Sequence, residues 1–209
     1  MQYNGRMASF IALWGLIGLL FWGSAGAASP VAPKIQSLLK PEVFSRVVND
    51  REIMTHADLD GQHYSFYAAM LVRASERQTR SVLTNYALYS KMISYIDRTV
   101  YDPKTQVLDL SGAIFGYRLH SWVRFEQVGD HWIRFRIIRG HFTGMTGEIL
   151  FESGRDFSSK PENALDTLVY MGGSLTAPHW PPAFIVERGA EIVFGLTARR
   201  MRSYIAKGN

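Results

Sequence analysis

Residues 117–139 read YRLHSWVRFEQVGDHWIRFRIIR, and this stretch gives the clearest indication of the fold. Apolar and polar side chains alternate in both halves, on either side of the turn residues Gly129 and Asp130. Alternation with a period of two predicts strands that pack on one face and meet water on the other. The stretch therefore predicts an antiparallel hairpin. The side chains predicted to face its core are Tyr117, Leu119, Ser121, Val123, Phe125, Ile133, Phe135 and Ile137.

The opposite face of this hairpin is predicted to be basic and rich in tryptophan. Two interpretations of it remain open. Arginine and tryptophan side chains on neighbouring strands can stack on one another in a purely structural role. A basic surface with interfacial tryptophan can also dock on an anionic membrane surface. The residues concerned are Arg118, Arg124, Arg134 and Arg136, around Trp122 and Trp132.

Outside the hairpin, the chain predicts more strands and two short helices. Ser75 followed by Gln78 is a capping-box pattern, which places a helix start at Ser75. This helix is expected to run to about Thr84, and a second one to follow over residues 85–95. Apolar runs bounded by turn residues predict the remaining strands. These strands are expected at residues 64–72, 107–111, 147–152 and 165–172.

The last segment, residues 182–205, predicts one long amphipathic helix. Charged residues fall on one arc at 100° per residue, and apolar residues fill the rest. A stripe that wide indicates a helix packed on a sheet. The fold class expected from this order is α+β, a curved antiparallel sheet wrapped around a long C-terminal helix. Such an arrangement leaves an apolar cavity between sheet and helix.

This order resembles the helix-grip fold of the START-like superfamily, in particular its polyketide cyclases and coenzyme Q-binding START-domain proteins. The resemblance covers residues 62–206. Residues 85–89, NYALY, look like the start of the family's D-Y-x-x-Y-x-x-F stretch, with Asn85 for the Asp and Met92 for the Phe. The resemblance implies a hydrophobic cavity and transfers no catalytic residue. The other segments that carry it are residues 75–95, 132–135, 140–142 and the closing helix.

The N-terminus predicts a secretory signal peptide over residues 1–27. Arg6 precedes an apolar run, and Ala25 and Ala27 fit the small-residue positions of a cleavage site. We therefore expect a bacterial periplasmic or secreted protein that begins at Ala28 after cleavage. Residues 28–61 are expected to form an exposed leader with one short helix at 41–48, and residues 62–209 to form the ligand-binding domain.

Composition narrows the functions further. The chain contains no cysteine, which excludes disulfides, a thiol nucleophile and a thiolate metal site. Its formal net charge of +5 becomes +4 once Arg6 is lost with the signal peptide, and this mild basicity favours contact with anionic lipid headgroups. An exported protein is not expected to meet nucleic acid. His56, Asp58 and Asp60 alternate along a segment that can hold a metal or form a solvated turn. Three ligands on one loop favour the turn. No catalytic motif and no cofactor are indicated.

Nine residues are candidates for contact with a ligand. Four lie on the inward face of the hairpin, where plain core packing is the alternative role. Two lie in the glycine-rich turn at residues 140–147, and three lie on the last helix. Gly189 opens space there or allows close approach, and Arg200 pairs with an acidic head group or reaches out to solvent. The nine are Tyr117, Ser121, Phe125, Phe135, His141, Phe142, Gly189, Ile192 and Arg200.

Three functions are compatible with this sequence. The first is an exported, non-enzymatic binding protein for an apolar small molecule or lipid. The second is an enzyme of cyclase or hydrolase type that uses the same cavity, with His141 as a weak acid–base candidate. The third is a structural interaction module whose cavity is filled by its own side chains. The sequence does not name the ligand.

Overall fold

The structure is a computed structural model that describes residues 31–114, 116–178 and 183–207. The expected signal peptide, its cleavage site and the expected helix start at Pro182 lie outside the described residues. No helix in the described ranges is both long and apolar enough to cross a membrane.

Eight antiparallel strands form one sheet in the order β1-β2-β8-β7-β6-β5-β4-β3. The expected antiparallel sheet is thereby confirmed, and every expected strand is present with bounds shifted by a few residues. The two strands at the edges, β1 and β3, were not expected from the sequence. The strands are β1 Met54–Asp60, β2 His63–Val72, β3 Ile96–Asp102, β4 Val107–Ile114, β5 Tyr117–Gly129, β6 Trp132–Gly140, β7 Thr146–Ser153 and β8 Thr167–Thr176.

Six α-helices accompany the sheet within the described ranges. The Ser75 hydroxyl accepts a hydrogen bond from the Gln78 backbone N–H at 3.3 Å, so the expected cap is confirmed. The single helix expected at residues 85–95 is instead a 3-10 turn, Tyr86–Leu88, followed by a short α4. The helices are α1 Ile35–Leu38, α2 Pro41–Asn49, α3 Glu76–Leu83, α4 Tyr89–Met92, α5 Gly154–Phe157 and α6 Ala183–Ala206.

The inner face of the sheet carries the main core, and its register is the one expected. Phe125 lies directly opposite Phe135 across β5 and β6, and both are buried. A shift of one residue would have turned every side chain of these strands to the other face. Helix α6 contributes Phe194, Ala198 and Ile205 to the same core.

The outer face carries a second core beneath the N-terminal helices. Ile35 and Val47 are completely buried against sheet residues that include Leu150 and Leu168. The expectation that the leader is exposed is therefore wrong, although its helix α2 forms where expected. The Glu152 carboxylate, itself buried, accepts a hydrogen bond from the Ile35 backbone N–H at 2.7 Å and ties α1 to β7.

Helix α6 packs mainly along β1 and β2, at one end of the sheet. The Glu187 carboxylate accepts the backbone N–H of Leu59 at 3.0 Å, which satisfies a donor on edge strand β1. At the other end of the helix, the Arg202 guanidinium donates to the backbone carbonyl of Arg51 at 2.8 Å. The side chain of Arg51 in turn pairs with buried Asp166 at 2.7 Å. Both ends of α6 are therefore fixed to the sheet or its connections.

Two strand glycines let aromatic rings lie flat on the inner face. A Cβ atom on Gly147 would collide with the ring of Phe135, and one on Gly173 would lie 3.0 Å from the ring of Phe66. The rings therefore occupy the space above the glycines, and this part of the concave face is filled by the protein itself.

Candidate functional site

Helix α6 has one side that packs on the inner face of the sheet and another side that is exposed. On the packed side, Phe194 of α6 stacks on Phe66 with ring centroids 4.4 Å apart. Tyr86 stacks on Phe125 at the same separation. These two stacks fill part of the space in which the sequence predicted an apolar cavity.

The exposed side of α6 also carries apolar residues. Ile192 and Leu196 are each 40% exposed, although both are large apolar residues. A Cβ atom added to Gly189 would meet nothing within 4 Å. Spacings of three, four and seven residues place these positions on one side of the helix together with half-buried Val193. We call Gly189, Ile192, Val193 and Leu196 the helix strip.

A pair of hydroxyl groups borders the helix strip. The Thr197 hydroxyl donates to the backbone carbonyl of Val193 at 2.7 Å and also bonds to the Tyr95 hydroxyl. Since the single proton of Thr197 is used on Val193, Tyr95 is the donor in their shared bond. Burial raises the pKa of Tyr95, and the hydrogen bond with Thr197 lowers it in part. The Tyr95 oxygen keeps acceptor capacity beside the apolar strip.

Sequence reasoning missed Tyr95 and Thr197. Tyr95 was assigned to the end of a helix, whereas it directly precedes edge strand β3. The available signal was Thr197 itself, since threonine in the middle of an apolar helix commonly bonds back to a carbonyl three or four residues earlier.

The four candidates on the hairpin have different environments. Phe125 and Phe135 are buried in the inner core with ring centroids 6.4 Å apart. Ser121 is also buried, but its hydroxyl donates to the backbone carbonyl of His141 at 2.6 Å, so the protein supplies its partner. Tyr117 is 74% exposed, and the expectation that its hydroxyl is buried is wrong. It is the first residue of β5, beyond the part of the sheet that α6 covers.

The remaining candidates lie on the turn between β6 and β7 and on α6. His141 is exposed, and its Nδ1 accepts the backbone N–H of His120 at 3.0 Å. Phe142 is 43% exposed and has a left-handed backbone with a φ of 61°. Arg200 is exposed on α6, as expected for a side chain that reaches solvent. The structure joins Ser121 to His141 and Phe125 to Phe135, and it places Gly189 and Ile192 on one helix side.

The tyrosines of the inner core remain protonated at neutral pH. Burial raises the pKa values of Tyr64, Tyr86 and Tyr89, so these phenols stay neutral. Among the described residues, no group of three or more His, Asp or Glu side chains is arranged to hold a metal ion. The inner side of the sheet thus offers apolar surface and neutral hydroxyl groups.

Solved structures share this architecture over about two thirds of the chain. A START superfamily protein from Mycobacterium smegmatis matches with a TM-score of 0.56 and 13% identity, covering 69% of this chain and 99% of that one. The chain has the START-like helix-grip fold. No protein-family model matches the sequence, and the search of curated proteins gives no match.

Two other helix-grip structures show how varied these neighbours are. The di-domain ARO/CYC BexL from the BE-7585A biosynthetic pathway matches with a TM-score of 0.52 and 12% identity, over 71% of this chain and 50% of that one. Major latex-like protein 151 from Panax ginseng matches with a TM-score of 0.50 and 10% identity, over 69% and 98%. Identities this low establish the helix-grip fold and leave the function to the site.

Proposed function

We propose that this protein is an exported, non-enzymatic binding protein for an apolar or lipid-like ligand that lies against the helix strip. The observation that carries the proposal is the exposure of Ile192 and Leu196 beside the empty space at Gly189. Covering apolar surface releases about 25 cal/mol per Å². A ligand that covers both side chains would therefore gain free energy from a surface that the protein leaves open.

The helix strip also has the polarity expected of a lipid site. Most of its surface is apolar, and the Tyr95 hydroxyl at its border can accept one hydrogen bond from a polar head. Ligand pockets commonly combine an apolar lining with a few placed polar groups. The helix-grip neighbours support the same class, because they include a START superfamily protein and an aromatase/cyclase of a biosynthetic pathway.

A structural interaction module is the second candidate, and one observation favours it. The stacks of Phe66 on Phe194 and of Tyr86 on Phe125 fill part of the region where an apolar cavity was expected. In such a module the helix strip would be plain surface. The two candidates differ in one measurable property, which is the uptake of an apolar molecule at the strip.

Titration with the apolar fluorescent probe N-phenyl-1-naphthylamine tests the proposal. The double variant Ile192→Gln with Leu196→Gln keeps the helix and removes the apolar surface, so the affinity should fall at least tenfold. Leu165→Gln is the matched control, because Leu165 is 72% exposed and precedes β8 instead of lying on α6. Equal affinity in all three proteins, or no binding by the wild type, would favour the structural module.

Export remains part of the proposal and rests on the sequence alone. Arg6, the apolar run that follows it and the alanines at 25 and 27 support cleavage after Ala27. The mature chain should begin at Ala28. N-terminal sequencing of the exported protein tests this, and a mature chain that still begins at Met1 would contradict it.

We also propose that the outer face contacts an anionic membrane surface. Arg124 and Arg136 lie directly opposite each other on β5 and β6, and both are exposed. Neither forms an ion pair with another described residue. Like charges in that position repel, and an anionic lipid would relieve the repulsion. The double variant Arg124→Gln with Arg136→Gln should cosediment less with phosphatidylglycerol vesicles, and unchanged cosedimentation would contradict the contact.

A further inference from the structure

A groove of about 500 Å³ lies on the outer face of the sheet, opposite the helix strip. Its side chains come from β1, β2, β6, β7 and β8, and they all lie on the outer face. Tyr67 is paired with Gly172, Gly172 with Glu148, and Glu148 with Arg134, so these positions form one row across the sheet. The outward side chains that line it are His56, Ser65, Tyr67, Arg134, Thr146, Glu148, Tyr170 and Ser174.

The floor of the groove is backbone. Gly147, Gly172 and Gly173 line it, and the sheet is bare at Gly172, the one of the three whose side chain would point outward. A Cβ atom on Gly172 would lie 2.7 Å from Cζ of Tyr170, so only glycine leaves that ring in its place. Tyr67 stacks with Tyr170 at a centroid separation of 6.2 Å. The result is a flat polar floor beside an aromatic wall.

The hydroxyl groups around this floor are available for hydrogen bonds with a ligand. The side chains of Ser65, Thr146 and Ser174 and the two phenols form no hydrogen bond with another described side chain or backbone group that the structure records. Each hydroxyl can donate one bond and accept two. The groove thus presents a set of donors and acceptors that matches a ligand with many hydroxyls.

At the end of the groove formed by β6 and β7, the positively charged side chain of an arginine stacks on a tryptophan. The guanidinium of Arg134 lies over the ring of Trp132, 4.3 Å from its centroid. The indole N–H of Trp132 donates to Glu148 at 2.8 Å. Arg134 forms no ion pair within the described ranges. Stacking uses the face of the guanidinium and leaves its N–H edges for a carboxylate or phosphate.

We propose that this groove binds a hydroxyl-rich ring or polyol that carries an acidic group, either as a free sugar acid or sugar phosphate or as the headgroup of a lipid. The acidic group meets the N–H edges of Arg134, and the hydroxyls meet Ser65, Thr146 and Ser174. The carbon face of the ring lies against the tyrosines. A volume of about 500 Å³ lies in the range of small-molecule sites. This site is separate from the helix strip and does not depend on the apolar ligand.

Glucose 6-phosphate, titrated into ¹⁵N-labelled protein, tests the site through the indole resonance of Trp132. That resonance should shift to saturation, and Arg134→Gln should weaken binding at least tenfold. Thr146→Val keeps the side-chain shape and should weaken binding about threefold. The control is Arg118→Gln, since Arg118 is exposed on β5, pairs with Asp97 and does not line the groove. Glucose should bind more weakly than its phosphate.

Phosphatidylglycerol and phosphatidylcholine vesicles identify the source of the ligand. A response to glucose 6-phosphate without one to vesicles assigns the groove to free sugars, and an Arg134-dependent response to phosphatidylglycerol assigns it to a lipid headgroup. The proposal fails if neither probe shifts Trp132, or if the shift survives in Arg134→Gln. It also fails if inorganic phosphate binds as tightly as glucose 6-phosphate, since the hydroxyl groups would then contribute nothing. None of these outcomes involves the apolar probe, so the two sites are tested independently.

Discussion

At the residue scale, two glycines in different surroundings should respond oppositely to the same change. Gly189→Ala should stabilise the protein by about 1 kcal/mol, because alanine is the better helix former and the added Cβ meets no atom within 4 Å. Gly147→Ala should destabilise it by about 1–3 kcal/mol, because the added atom collides with Phe135 and the Gly172 carbonyl. Urea denaturation measures both. Destabilisation by Gly189→Ala would show that its surroundings are filled.

Two completely buried threonines offer a second matched pair. The Thr79 hydroxyl has no hydrogen-bond partner among the described residues, whereas Thr167 donates to the Ala74 carbonyl at 2.8 Å. An unsatisfied buried hydroxyl costs about 1–3 kcal/mol, and valine has the same shape without it. Thr79→Val should therefore raise the free energy of unfolding, and Thr167→Val should lower it. If both variants are destabilised alike, the Thr79 hydroxyl has a partner in solution.

At the element scale, the sequence predicts the six central strands and misses the two at the edges. The central strands alternate or form continuous apolar runs because they are covered on at least one face. In edge strand β3, by contrast, Ile96 is the only buried residue. Edge strand β1 carries His56, Asp58 and Asp60 outward, and these polar residues resemble a loop. Alternation and apolar runs arise where side chains are buried, so strands with few buried residues do not show these patterns in the sequence.

The N-terminal helices show a related failure of sequence reasoning and lead to a prediction. Prolines and polar residues suggested an exposed leader, but Ile35 is buried in the outer core. Ile35→Ala should cost about 2–5 kcal/mol of stability, as truncation of a buried aliphatic side chain does. Val31→Ala is the control, because Val31 is 90% exposed. If both variants unfold at the same urea concentration, α1 does not pack on the sheet in solution.

At the scale of the whole molecule, stability should fall at alkaline pH. Burial raises the pKa values of Tyr64, Tyr86 and Tyr89 above the usual 10.0. Above about pH 10 the unfolded chain loses these phenolic protons while the folded chain keeps them, so the free energy of unfolding falls as the pH rises. Tyr86→Phe should make this decline less steep. An unchanged slope between pH 10 and 11.5 would show that Tyr86 ionises normally in the fold.

The sequence anticipates the helix-grip architecture better than the site. Phe125, Phe135 and the arginines of the outer face lie on the expected sides of the sheet because alternation fixes the register. Tyr117 follows the same alternation and is nevertheless exposed, because the pattern does not tell where the covering helix ends. The groove on the outer face combines residues from five strands, and only the pairing of those strands brings them together.

Native mass spectrometry of the purified protein shows whether the helix strip holds an apolar ligand. The wild-type protein should retain an added mass that organic extraction removes. The double variant Ile192→Gln with Leu196→Gln should lose that mass, and Leu165→Gln should keep it. A wild-type spectrum that shows only the bare chain, before and after incubation with lipid extract, would contradict ligand binding at the helix strip.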